Sequence, residues 1–153
     1  MKKLIAIGLV IIMVLSIIVI GVSLAKEGAG AAKSILWLSF DKDDCDGAVV
    51  KEEAYGFVIL NTDASGKLIA TFALKGATAN VEYELWVFQV NENCERLLPY
   101  GEGSLTTNNQ GNGNGSLQME VIDGAVRFWA TAVYRGATRP DDEKLRSEAV
   151  VLD

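Results

Sequence analysis

Three stretches of this chain alternate apolar and other residues with a period of two, a spacing that suits extended strands with one buried face. Leu68, Ala70, Phe72 and Leu74 share a face in 67–75, and Val81, Tyr83, Leu85 and Val87 share one in 81–90. In 125–135 the set is Val126, Phe128, Ala130, Ala132 and Tyr134. Other short runs of β-branched and aromatic residues are broken by Gly, Asn and Asp. The reading places strands near 35–40, 48–51, 55–61, 67–75, 81–90, 102–106, 116–122, 125–135 and 148–152. Short strands with turns at this spacing predict an all-β, antiparallel two-sheet sandwich, immunoglobulin-like, over 35–153. The one helix expected in that domain is Pro140–Arg146, where proline suits a first turn and Asp141, Asp142 and Glu143 complement the helix dipole.

Two of these strands carry apolar residues on both faces. Trp86, Phe88 and Val90 follow Glu82 and Glu84, and Trp129 and Val133 interrupt the polar face of 125–135. Burial on both faces is the favoured reading, because aromatic side chains are normally inside. An aromatic patch open to a partner is the alternative.

Ahead of the domain, Met1-Lys2-Lys3 precedes residues 4–25, of which all but Gly8, Ser16, Gly21 and Ser23 are apolar. A basic start, an apolar stretch and small residues at Ser23 and Ala25 make 1–25 a signal peptide cleaved after Ala25. The stretch is also long enough to span a bilayer as a hydrophobic helix, so an uncleaved membrane anchor is the second reading. Lys2 and Lys3 then hold its N-terminal flank in the cytoplasm. Either way residues 26–153 are exported, to the cell surface or beyond, with 26–34 (KEGAGAAKS) as a flexible spacer. A pilin-like filament subunit is a third possibility, but no clear processing site precedes the apolar stretch.

The exported part keeps twelve basic against twenty acidic side chains, a net charge of −8. A nucleic-acid partner is not expected, since phosphate binding needs a basic footprint. The chain has no histidine, which excludes Ser-His-Asp and Cys-His catalysis and any imidazole metal site.

The densest polar feature is Asp41, Asp43, Asp44 and Asp46, with Glu52 following. Oxygen ligands at this density make Ca2+ the cofactor to consider. The spacing fits a calcium loop at only some positions, and a solvated turn explains it as well. Cys45 and Cys94 are the only cysteines, and export favours a bond between them. If 48–51 and 55–61 are separate strands in an up-and-down order, four strand passages separate the two cysteines and both lie at the same end; if they are one strand, three passages place them at opposite ends. Residues 106–115 (TTNNQGNGNG) read as a hairpin loop carrying an N-glycosylation sequon at Asn114. No catalytic set emerges; carboxylates are numerous, and none is singled out.

The run GFVILNTDASGKLIATFALKGATANVEYELWVF, with GSLTTNNQGNGNGSLQMEV after it, resembles small secreted prokaryotic β-sandwich proteins of uncertain function across about 35–152. The resemblance implies fold and export, and no site residue. The expectation is a non-enzymatic cell-surface or secreted module for adhesion, envelope structure or ligand binding, with a protein or glycan partner. The alternative is a homo-oligomeric filament or surface-layer subunit joined through strand edges. A carboxylate-dependent hydrolase comes third.

Overall fold

The alternating segments form strands whose alternate side chains all enter one core. A computed structural model describes residues 30–39, 53–136 and 143–152. The strands are β1 (Ala32–Leu38), β2 (Ala54–Thr62), β3 (Lys67–Leu74), β4 (Glu82–Val90), β5 (Arg96–Thr106), β6 (Gly113–Glu120), β7 (Arg127–Tyr134) and β8 (Glu143–Ser147). All pair antiparallel in a single sheet of order β5-β4-β7-β8-β1-β2-β3-β6.

The predicted sandwich is therefore corrected: the sheet curls into a nearly closed barrel. Its interior takes Leu36, Val58, Leu60, Leu68, Ala70, Phe72, Tyr83, Leu85, Val87, Ala130, Ala132 and Leu145, all fully buried. Sandwich and barrel demand the same alternation, so periodicity could not separate them.

The terminal strands β5 and β6 meet at the seam without joining in a ladder. Small residues let them approach. A methyl group at Gly115 would stand 2.9 Å from Leu105 Cβ, and one at Gly113 would stand 2.9 Å from the Thr106 carbonyl oxygen. Side-chain hydrogen bonds tie both ends of the seam. At one end the Thr107 hydroxyl donates to the Thr78 carbonyl (2.7 Å) and accepts the Val81 N–H (3.2 Å). At the other, the buried Gln89 amide donates to the Glu120 carbonyl (2.8 Å) and accepts the Ile122 N–H (3.0 Å). Gln89 thus supplies the backbone-like pairing that the open ladder lacks.

Several local expectations change. Pro140–Arg146 was expected as a helix, but Glu143–Ser147 is strand β8, held between β7 and β1. The pairing on both sides and the burial of Leu145 outweigh a weak helix preference. The expected strand at 148–152 reduces to one bridge, Phe128 to Val150. β1 begins at Ala32, inside the segment read as spacer. β5 starts six residues earlier than expected, and β6 begins at Gly113, inside the segment read as loop. Asn114 therefore lies on a strand, opposite Ala73, with its side chain exposed.

Candidate functional site

Outward positions on β4 alternate with the core set: Glu82, Glu84, Trp86 and Phe88 face away from the barrel interior. Register carries this face across four strands. Trp86 lies opposite Glu102 on β5 and Thr131 on β7, and Thr131 lies opposite Arg146 on β8. One residue pair along, Phe88 lies opposite Trp129.

These side chains form a second apolar cluster outside the barrel. Phe88, Val90 and Trp129 are buried, and Trp86, Tyr100 and Ala149 pack against them. Phe88 stacks on Trp129 at 5.4 Å between ring centroids and tilts against Tyr100 at 5.0 Å. Arg96 lies 5.0 Å from the Phe88 ring centroid, and Arg146 lies 5.5 Å from that of Trp129. Guanidinium groups over ring faces gain from the ring quadrupole.

Beside this cluster a groove of about 280 Å³ opens, lined by Trp86, Phe88, Tyr100, Thr131, Val133, Arg135 and Lys144. Thr131 is 1% exposed, and among the described residues its hydroxyl has no hydrogen-bond partner. An unsatisfied buried hydroxyl costs about 1–3 kcal/mol, and this one sits just beneath the groove wall. Arg135 pairs with Glu84 at 3.3 Å on the rim. On the other side of Trp86 lies a hollow of about 450 Å³ with Glu82, Glu84 and Glu102 around it. Trp86 forms the ridge between an aromatic groove and an acidic hollow.

A separate concavity of about 370 Å³ lies at Ala54, Gly56, Phe57, Ala73, Leu74, Lys75 and Asn112. It offers one aromatic ring against three, and its polar side chains are Lys75 and Asn112.

Of the residues singled out in the sequence, Asp41, Asp43, Asp44, Asp46, Glu52 and Cys45 lie outside the described residues, as do 1–29 and the expected strand 48–51. Among the described residues no cluster of three potential metal ligands occurs, and no helix is long and apolar enough to cross a membrane. Cys94 carries no free thiol and sits in the β4–β5 turn with φ of 66°. Three strands, β2, β3 and β4, separate the segment holding Cys45 from that turn.

Sequence reasoning noted Trp86, Phe88 and Trp129 on second strand faces but did not join them into a site. Tyr100 and Thr131 carried no sequence signal, because only register brings them to Trp86. No family model matches this chain, and no curated protein sequence matches it either.

Proposed function

We propose that this chain is an exported, non-enzymatic binding module and that the groove beside Trp86 receives a glycan. One observation carries the reading: Trp86, Phe88 and Tyr100 line an open groove, with the buried hydroxyl of Thr131, unpartnered among the described residues, just beneath its wall. A sugar ring lays its apolar C–H face on an aromatic ring and offers hydroxyls to polar groups at the edge. Concave sites with aromatic walls and few polar groups are the usual form of a small-ligand site. The carboxylates of Glu82 and Glu102 are exposed, without the burial by which enzymes tune a catalytic carboxylate. Assembly through strand edges has less support, since β5 and β6 turn their free edges toward each other across the seam.

Titration of tryptophan fluorescence with a panel of soluble oligosaccharides tests the proposal. A saturable change is expected for at least one member, with affinity at least tenfold weaker in Trp86→Ala at unchanged Tm. No saturable change across the panel, or equal affinity in the variant, contradicts it.

A further inference from the structure

The groove at Trp86 changes character along its length. Outward positions on β4, β7 and β8 stand in register: Phe88 lies opposite Trp129, Trp86 opposite Thr131, Glu84 opposite Val133, and Val133 opposite Lys144. From Phe88 to the level of Glu84 is four residues, about 13 Å along the strand. Phe88, Tyr100 and Trp86 line one end of the groove, and Val133, Lys144 and Arg135 line the other.

Charge is divided between the groove and its neighbours. Among the described residues, two cationic side chains line the groove, Arg135 and Lys144, and no carboxylate does. Glu82, Glu84 and Glu102 line the hollow across Trp86. Glu82 and Glu84 also line a smaller hollow of about 310 Å³, which shares Arg135 with the groove. Arg135 therefore stands between carboxylates on one side and the groove on the other. In residues 26–153 acidic side chains outnumber basic ones twenty to twelve, so a groove whose only charges are positive is not what composition supplies by default.

Arg135 has donors to spare for a ligand. Its Nε lies 3.3 Å from Glu84 Oε2, with side chains 64% and 47% exposed. An exposed pair of this kind contributes little and exchanges readily. A guanidinium carries five N–H donors in a planar fork and meets a carboxylate with two parallel hydrogen bonds. A sugar acid joins the two features that the groove holds at its two ends: the apolar C–H face of a ring, and a carboxylate at the ring's edge.

We propose that the glycan received at Trp86 is an acidic one, a chain of sugar rings bearing carboxylates, with a ring against Trp86 and its carboxylate at Arg135, where Lys144 adds a second positive charge. The proposal rests on the glycan reading of the groove and names the class of sugar. Arg135 is its specificity-determining residue. Glu84 opposes it, competing with the ligand for the guanidinium and repelling the ligand's charge.

Fluorescence titration of the full-length protein with oligogalacturonate, oligomannuronate and the methyl ester of each tests the proposal. Esterification keeps the rings and linkages and removes the charge. At least one acid is expected to bind roughly tenfold or more tightly than its own ester. Arg135→Gln is expected to cut that preference to below about threefold, and Glu84→Gln to raise it by about threefold or more. A gain cannot come from a damaged fold, so the second variant separates charge selection from loss of structure. Equal binding of acid and ester, a preference that Arg135→Gln leaves in place, or saturable binding of neutral oligosaccharides alone overturns the proposal and leaves the groove as a neutral-glycan site. Absence of saturable binding by every oligosaccharide overturns the glycan reading with it.

Discussion

Three turns of this barrel share one backbone solution, and one of them departs from it at a single residue. In Asp63–Lys67, Asn91–Glu95 and Asn108–Asn112 the first side chain accepts backbone N–H groups two and four residues on. The fourth residue has positive φ in each: Gly66 at 83°, Gly111 at 74° and Cys94 at 66°. Glycine adopts this conformation freely, whereas a residue with a Cβ is strained there. Under reducing conditions Cys94→Gly is expected to be more stable than Cys94→Ala by about 1 kcal/mol, read from urea midpoints; equal midpoints contradict the strain. Asp63 differs from its two asparagine counterparts by titrating. The Ser65 hydroxyl, then the Lys67 N–H, hold its carboxyl below the usual value of 3.8. A depressed folded-state pKa contributes stability above pH 3.8 that is lost as pH falls through the lower value. Asp63→Asn is expected to keep the turn, as Asn91 and Asn108 do, while flattening this acid dependence. Thermal melts from pH 5 to pH 2 check it; an unchanged acid slope contradicts the assignment. The turns at Gly66 and Gly111 were readable because Asx and Gly stand in their places. Cys94 hid the third, since cysteine carries no turn preference.

At the scale of elements, sequence patterns located β2, β3, β4 and β7 to within two residues at either end. The burial of Leu68, Ala70, Phe72 and Leu74 matches the expected face. β8 was misread because Asp141, Asp142 and Glu143 ahead of Lys144 and Arg146 mimic helix charge order, while the pairing that overrides it is non-local. The first half of β5 was missed because Pro99 interrupts it, and edge strands tolerate proline. The start of β6 was missed because Gly113 and Gly115 look like loop and are instead seam residues. Gly113→Ala is expected to destabilise by about 1–3 kcal/mol, since the new methyl would stand 2.9 Å from the Thr106 carbonyl oxygen. Gly103→Ala, whose nearest side-chain atom would be 3.5 Å away, is expected to be near neutral. Urea denaturation compares the two; equal losses contradict close packing at the seam.

The described residues form one curled sheet with two apolar regions, one inside the barrel and one on the outer face of β5, β4 and β7 with Ala149 beyond β8. The inner region was legible from period-two alternation alone. The outer region was legible only as aromatic residues on the second faces of two strands, because Tyr100 comes from β5 and Ala149 from the segment after β8. Which strands border the seam depends on the order of the sheet, and no local pattern encodes that order. The functional reading rests on the outer region. Amide chemical-shift mapping of the exported domain with the best-binding oligosaccharide tests it most directly. The account predicts shifts clustered at residues 86–88, 100 and 131–133, with residues 54–57 and 73–75 on the other concavity unmoved; shifts confined to that second concavity, or scattered without a cluster, would contradict it.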